Sequence, residues 1–253
     1  MDAVILAGGF ATRLRPLSEY IPKPLFPLGG VPLINFVLQK VWEIKPKRII
    51  ISTNQRFENH FRHWLYTLPH YIAERTELIT EPTMNNEEKF GALRGLHYAV
   101  KEAGVQEDLF VVAGDNLFDF DLRRIVRKGR EKGITLAAYD LKDKELTKRY
   151  GVLVLEGDRV IEFQEKPENP KSTSISTGIY FFPEKDISLL ENYLSSEDDS
   201  DALGKFFEWI ISRKEVYAEV YTGTWFDIGT LDTYKRADEF ITKLGWNRRW
   251  LWP

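Results

Sequence analysis

The sequence LAGGFATRLRPLSEYIPKPLFP, residues 6–27, shows best how the chain folds and what it binds. The apolar run at residues 3–6 predicts a buried strand that leads into the glycine pair Gly8 and Gly9. Glycine has no Cβ, so backbone N–H groups at such a turn can approach an anion closely. Arg13 and Lys23 add fixed cations behind the turn. The stretch is therefore predicted to bind a polyphosphate.

The spacing of this stretch is more informative than its glycines alone. Two glycines after a strand would also be explained by a tight strand-to-helix turn, with the cations as ordinary surface charge. Here, however, GGxxTR is followed by PKP at residues 22–24. The pattern matches neither G-x-x-x-x-G-K-[ST] nor G-x-G-x-x-G, which disfavours a Walker-type ATPase and a dinucleotide-binding protein.

The longer stretch LAGGFATRLRPLSEYIPKPLFPLGGVPLI resembles the signature of the sugar-1-phosphate nucleotidyltransferases, or sugar-nucleotide pyrophosphorylases. This family includes enzymes that act on glucose 1-phosphate and mannose 1-phosphate. Later motifs extend the resemblance to about residue 240. It implies catalytic roles for Arg13, Lys23 and Lys166, and a nucleotide-binding segment made of Leu6, Ala7, Gly8 and Gly9.

The expected fold is α/β, with a Rossmann-like, mostly parallel mixed sheet flanked by helices. A chain of 253 residues can bury a substantial core. Strand and helix patterns alternate through about residue 140, so we expect a single domain, 1–253, with a nucleotide-binding half at 1–140. Residues 141–253 would form the sugar-phosphate-binding half and a closing helix. No hexapeptide repeats occur, so no β-helix extension is expected.

The composition narrows the partners of the protein. Lys and Arg number 35 against 38 Asp and Glu, a net charge of −3, which argues against nonspecific nucleic-acid binding. There is no cysteine, and no apolar run approaches the length of a membrane span. We expect a cytoplasmic protein that binds neither nucleic acid nor membrane. The aromatic, basic tail GWNRRWLWP allows a homo-oligomer.

Two aspartates are candidate metal ligands. Asp115 follows the buried strand predicted at 108–113, and ligands of parallel sheets bind beyond the carboxyl ends of strands. A turn-forming aspartate is the alternative. The resemblance places a metal-binding aspartate at this GDN position and a second one, Asp227, in WFDIGT, which implies Mg²⁺ as cofactor. Asp119 and Asp121 are predicted to begin and cap a helix at 122–132.

The sequence does not determine which base the bound nucleotide carries. Relatives carry a glycine-containing segment like LGTAGAL, whereas this chain has NEEKFGAL, with Glu88 at the position of the first glycine and Gly91 matching the later one. Asp115 and Gly91 belong to the implied nucleotide site. Glu81 would lie near the base edge, where a carboxylate can accept N–H donors from guanine or cytosine. A solvated loop glutamate is the alternative.

The sugar phosphate is expected in the second half. Residues 150–167 read as a hairpin about the turn at 157–158, ending in an EKP segment. The resemblance implies that Glu165 contacts the sugar hydroxyls and that Lys166 contacts the phosphate of the sugar phosphate. The STGIYFF strand is similar to one that lines the same pocket. The implied sugar-phosphate site comprises Gly151, Glu165, Lys166, Thr177 and Gly178.

These features imply that an NTP and a sugar 1-phosphate react to give an NDP-sugar and pyrophosphate. The nucleophile is an anionic phosphate oxygen, which agrees with the lack of a Ser, His or Cys nucleophile–base pattern. Two alternatives remain: a cytidylyltransferase acting on a phosphorylated alcohol, and a non-catalytic regulatory protein that binds a nucleotide sugar. A polynucleotide-binding protein is the least favoured class.

Overall fold

The protein is an alternation of strands and helices, described here from a computed structural model for residues 1–196 and 201–246. The strands in these residues are β1 (Asp2–Leu6), β2 (Pro27–Leu28), β3 (Val31–Pro32), β4 (Ile49–Asn54), β5 (Thr76–Glu81), β6 (Leu109–Ala113), β7 (Asn116–Phe118), β8 (Thr135–Asp140), β9 (Gly151–Glu156), β10 (Arg159–Glu165), β11 (Ser174–Phe182), β12 (Tyr217–Tyr221) and β13 (Trp225–Asp227). The helices are α1 (Leu17–Tyr20), α2 (Leu33–Glu43), α3 (Glu58–Leu65), α4 (His70–Ala73), α5 (Gly91–Glu102), α6 (Arg123–Lys132), α7 (Lys144–Thr147), α8 (Ser188–Leu194), α9 (Leu203–Ile211) and α10 (Leu231–Leu244).

Nine of the strands form one sheet in the order β5-β4-β1-β6-β11-β8-β12-β10-β9. The pairs β5–β4, β4–β1, β1–β6 and β8–β12 are parallel, whereas β11 and β10 run antiparallel to their neighbours. Strand β11 comes late in the chain but lies between β6 and β8. The expected mixed, mostly parallel sheet is confirmed, and it continues across the boundary drawn at residue 140.

Both faces of the sheet are covered, as the continuous apolar runs of its strands require. Side chains alternate across a strand, so Ala3 and Ile5 of β1 join one core layer and Val4 joins the other. Helices α2, α3 and α6 pack on the first face, and α5, α8 and α9 pack on the second. The sheet therefore has helices on both sides, and its strand ends are left to form a site.

A second, two-stranded sheet was not predicted. Strand β7 pairs antiparallel with β13, which follows β12 and is the last strand of the described residues. Each of these two strands is only three residues long, which is too short to show an alternation of apolar and polar residues. Asp119 was also misassigned: its carboxylate accepts a hydrogen bond at 3.0 Å from the N–H of Thr224, the residue before β13. Asp121 accepts a hydrogen bond from the Arg123 N–H at the start of α6.

The last helix of the described residues, α10, packs through Ala237 and Ile241 on a small third core near β7. Trp246 follows and stacks edge-on against Phe240, with ring centroids 5.8 Å apart. The rest of the aromatic tail, on which the homo-oligomer prediction rests, lies outside the described residues. Of the helices in the described part of the chain, none has both the length and the apolar character needed to cross a membrane.

Candidate active site

A cleft with two connected lobes lies at the carboxyl ends of the parallel strands. The first lobe has a volume of about 440 Å³ and the second about 200 Å³. Six residues line both lobes and mark their junction: Asp115, Glu165, Lys166, Gly178, Tyr180 and Gly204. These residues come from four separate segments of the chain, which is why only the folded structure shows that they meet.

The first lobe contains most of the residues that the sequence assigned to nucleotide binding. Its lining includes Leu6, Gly8, Gly9, Glu81 and Gly91 in addition to Asp115. Ala7 is different: it is 2% exposed, packs in the core, and donates its N–H to the Ser52 carbonyl at 2.7 Å. The glycine pair therefore reaches the lobe while the alanine beside it anchors the turn to β4.

Asn54 holds the glycine turn in place. Its side chain is fully buried, and its Nδ2 donates to the Gly8 carbonyl at 3.0 Å. Its Oδ1 accepts from the Phe57 N–H at 3.1 Å, so both ends of the amide are used. No pattern in the sequence indicates this role, because the contact joins the end of β4 to a turn far away in the chain.

Glu81 is buried rather than solvated, which excludes the alternative of a loop glutamate in water. It is 5% exposed, and the Ser52 hydroxyl donates to its Oε1 at 3.2 Å. A Cβ at Gly8 or Gly95 would lie 2.9 or 2.5 Å from the same oxygen, so two glycines make room for the carboxylate. Burial raises the pKa of Glu81 to about 7, and the Ser52 hydroxyl opposes this rise.

The unusual segment before α5 folds on itself. Glu88 is exposed and accepts the Met84 N–H at 3.0 Å, and Asn85 accepts the N–H groups of Glu87 and Glu88. The first lobe is lined at this point by Lys89 and by residues of α5. Glu88 therefore closes a surface turn, and its carboxylate is directed to the backbone of that turn.

The cations of the opening stretch lie beside the two aspartates. Lys23 stands in a short 3-10 turn between two prolines, and its Nζ is 2.5 Å from Asp115 Oδ2. Its side chain is only 13% exposed, so this ion pair is partly shielded from water. Arg13 lies on an exposed 3-10 turn and lowers the pKa of Asp227, which places its charge near that carboxylate.

Asp115 and Asp227 come together through the pairing of β7 with β13. Asn116 is the register partner of Asp227, and the Ile228 N–H donates to the Asp115 carbonyl at 3.1 Å. Burial and the neighbouring charge of Asp115 raise the pKa of Asp227, while Lys23 and Arg13 oppose the rise. The two carboxylates repel each other, so additional positive charge would stabilise this site.

Glu165 and Lys166 lie between the lobes at the end of β10. The Glu165 N–H donates to Glu208 of α9 at 2.6 Å, and Lys166 has a positive φ of 46° and pairs with Glu165 at 3.1 Å. Gly204, near the start of α9, would overlap Glu165 Oε2 if it carried a Cβ. The absence of a side chain at Gly204 therefore allows Glu165 to face the cleft.

The second lobe contains the other predicted sugar-phosphate residues, Gly151, Thr177 and Gly178, together with Asp227. Thr177 is 1% exposed and donates its hydroxyl to the Ala137 carbonyl at 3.0 Å. Its hydroxyl proton is therefore engaged in the core and is not available as a donor to a sugar. Gly178 has a φ of +78° where the pairing of β11 is interrupted.

Tyr150 is a site residue that sequence reasoning missed. It lines the second lobe, hydrogen-bonds to Asp227, and packs edge-on against Trp225 with ring centroids 5.4 Å apart. Burial and the Asp227 charge raise the pKa of Tyr150 to about 12, so the phenol stays protonated as a donor. Its position directly before Gly151 was the only available signal.

The family of this chain is shown by its similarity to known proteins. Residues 2–244 match the family model described as nucleotidyl transferase, and the chain belongs to that family. It is 34% identical over 234 residues to the bifunctional protein GlmU of Methanococcus aeolicus, covering 90% of this chain and 51% of GlmU. It is 29% identical to a putative mannose-1-phosphate guanyltransferase of Sulfolobus acidocaldarius, covering 96% and 64% of the two chains.

A solved structure agrees with the fold. A putative glucose-1-phosphate thymidylyltransferase from Bacillus anthracis, in complex with a sucrose, superposes with a TM-score of 0.83 at 23% identity, covering 96% of this chain and 95% of that one. The family match confirms the resemblance seen in the sequence, and the solved structure agrees in fold. The chain spans between about half and two thirds of the length of these curated relatives.

The buried carboxylate of Glu81 gives a prediction for stability. Between its ordinary pKa of 4.5 and about 7, the unfolded chain releases a proton that the folded chain keeps, so the fold loses stability as pH rises. A shift of this size corresponds to about 3 kcal/mol. We expect Glu81→Gln to gain up to this much in unfolding free energy, relative to wild type, between pH 5 and pH 8.

Urea unfolding at both pH values measures this difference. Glu77→Gln is the matched control, because Glu77 lies on the same strand with an exposed carboxylate. Equal pH dependence in Glu81→Gln and wild type would contradict the burial of an ionisable group at this position.

Proposed function

We propose that this protein transfers a nucleotidyl group from an NTP to a sugar 1-phosphate, forming an NDP-sugar and pyrophosphate. The observation that carries the proposal is the two-lobed cleft with its charged junction. One lobe begins at the glycine turn, the other is lined by aromatic and polar side chains, and Asp115 and Lys166 line both. Two ligands in these lobes would meet at the charged groups.

The proposed reaction needs neutralisation of the negative phosphate charges more than it needs a general base. The attacking phosphate oxygen is already anionic and displaces pyrophosphate at the α-phosphorus in line. Two unit charges about 4 Å apart repel by ~4 kcal/mol at an effective dielectric of 20, and a sugar phosphate meeting a triphosphate adds several such terms. Fixed cations that face the developing charge would therefore supply most of the rate enhancement.

The chain supplies these cations from three segments. The N–H groups of the glycine turn and the Arg13 guanidinium would hold the leaving β- and γ-phosphates. Lys23, now paired with Asp115, would meet the α-phosphate. Lys166, exposed at the junction, would bind the incoming sugar phosphate. Each cation would then meet a different part of the reacting phosphates.

Asp115 and Asp227 fit a hard divalent cation such as Mg²⁺. Their carboxylates are held together by the β7–β13 pairing, and their mutual repulsion would be relieved by positive charge. In the described residues no larger cluster of acidic or histidine ligands occurs, so phosphate and water would complete the coordination. When bound, the ion would neutralise phosphate charge. Tyr150 would keep Asp227 oriented through its hydrogen bond.

The second lobe is the proposed place of the sugar phosphate. Its volume of about 200 Å³ is combined with the carboxylate of Glu165 and the rings of Tyr150 and Trp225. The names of the relatives given above refer to sugar phosphates or to GlmU. Neither the cytidylyltransferase nor the regulatory alternative gains support, and the predicted cytoplasmic location and homo-oligomer stay predictions.

The proposal is tested by pyrophosphate release with Mg²⁺ across GTP, ATP, UTP, CTP and dTTP, each with several sugar 1-phosphates and with phosphocholine. We expect release with at least one NTP and sugar 1-phosphate pair. Release only with phosphocholine would favour the cytidylyltransferase. Tight binding of a nucleotide sugar without any release would favour the regulatory protein.

Arg13→Ala should lower the turnover number by a factor on the order of a hundred or more, as the loss of a transition-state donor does. The leaving pyrophosphate would then lack its guanidinium partner. Arg15→Ala is the matched control, because Arg15 stands on the same exposed segment and pairs with Glu19. Unchanged pyrophosphate release in Arg13→Ala would remove Arg13 from the mechanism.

Asp227→Asn should raise the Mg²⁺ concentration needed for half-maximal activity, because one of two anionic ligands is lost. The measurement is a Mg²⁺ titration of pyrophosphate release at saturating substrates. Asp232→Asn, in the first turn of α10, is the control. An unaltered titration in Asp227→Asn would show that this carboxylate does not hold the ion.

A further inference from the structure

One buried carboxylate stands in the wall of the first lobe, and we propose that it selects guanine, so that GTP is the nucleotide substrate. The inference rests on the proposed function and deepens it by naming the base. It depends on which atoms of Glu81 face the cleft, on what surrounds them, and on the hydrogen-bonding edges of the five bases.

The two oxygens of Glu81 have different surroundings. Oε1 is wedged between Gly8 and Gly95 and accepts the Ser52 hydroxyl at 3.2 Å. Oε2 is farther from both glycines, at 3.5 and 3.8 Å from the points where their Cβ atoms would stand, and within the described part of the chain it makes no hydrogen bond. Glu81 lines the lobe, so it offers an unused acceptor to a ligand.

The surroundings provide few competing polar side chains. Around Glu81 the lobe is lined by Gly8, Gly95 and Ala92, and the Ser52 hydroxyl is already donated to Oε1. The charged side chains of the same lobe are Lys89, before α5, and Asp115, Glu165 and Lys166 at the junction. A base in this part of the lobe would therefore be read mainly by the carboxylate of Glu81.

An ionised carboxylate accepts hydrogen bonds and donates none. Guanine places two adjacent donors, N1–H and N2–H₂, on one edge, so both can point at a carboxylate. Uracil and thymine have a single donor flanked by two carbonyl acceptors. Adenine and cytosine pair one amino donor with a ring-nitrogen acceptor, which an ionised carboxylate repels. Only guanine satisfies an ionised Glu81 without a facing acceptor.

The ionisation of Glu81 gives the proposal a directional test. Its pKa of about 7 leaves the free protein partly protonated at neutral pH. Guanine donors favour the ionised form, so binding of GTP releases a proton and tightens as pH rises. Adenine or cytosine would need the protonated form, which can donate to the ring nitrogen, and their binding would weaken. The sign of the pH dependence therefore distinguishes the bases.

The experiment is calorimetric titration of the whole chain with GTP, ATP, UTP, CTP and dTTP at pH 6 and pH 8. We expect GTP to bind at least about tenfold more tightly than the others at pH 8, because each mismatch leaves a buried polar group unpaired. The ratio of the ATP to the GTP dissociation constant should rise by about tenfold or more from pH 6 to pH 8. This ratio cancels the titration that is common to both triphosphates.

Glu81→Gln keeps the shape of the side chain and changes its hydrogen-bonding pattern. The amide offers one donor and one acceptor, which complements uracil and thymine, so the preference for GTP and the pH dependence of the ratio should both fall. Glu77→Gln, on the same strand but ion-paired at the surface with Arg48, should bind as wild type does. The comparison of nucleotides in the wild-type protein needs no variant and stands alone.

Equal or tighter wild-type binding of any other nucleotide than of GTP would overturn the proposal, as would a ratio that falls with rising pH. The binding measurement is separate from turnover. Selective GTP binding without pyrophosphate release from any sugar 1-phosphate would leave the base assignment standing and reject the proposed function. Pyrophosphate release from UTP alone would do the reverse.

Discussion

The pairing of two three-residue strands, β7 and β13, sets the arrangement of charge in the cleft. It places Asp115 and Asp227, which are far apart in the chain, next to each other at the carboxyl end of the main sheet. Two negative charges close together in a partly buried site are unfavourable unless nearby cations neutralise them. Lys23 does so by a direct ion pair, and Arg13 adds a second positive charge nearby. A site that concentrates both signs of charge is suited to phosphate transfer.

Glycines have a second use in this fold besides making turns. Gly8 and Gly95 leave the space that the carboxylate of Glu81 occupies, and Gly204 leaves the space for Glu165. In both places a side chain would collide with a carboxylate oxygen. The missing Cβ atoms therefore allow the carboxylates of Glu81 and Glu165 to occupy these positions. One carboxylate is in the first lobe and the other at the junction. The lobes thus differ in chemistry although they belong to one cleft.

Much of the fold and the site followed from the sequence because the relevant signals are local. Apolar runs indicated the central strands. The family resemblance singled out the glycine turn, Lys23, Asp115, Lys166 and the WFDIGT segment, because each lies in a contiguous motif. The signals failed where a contact is made between distant segments. Strands β7 and β13 are too short to show a hydrophobic alternation. Asp119 was assigned to the nearby helix because its hydrogen-bond partner, Thr224, is far away in the sequence.

The sequence by itself determined the class of fold, the order of the motifs and the residue types available for binding phosphate. Only the tertiary structure decided that Glu81 is buried with a raised pKa, that the Thr177 hydroxyl is held by the core, and that Tyr150 reaches Asp227. The reason is physical: periodicity and turn chemistry depend on neighbours in the chain, whereas burial and charge coupling depend on neighbours in space.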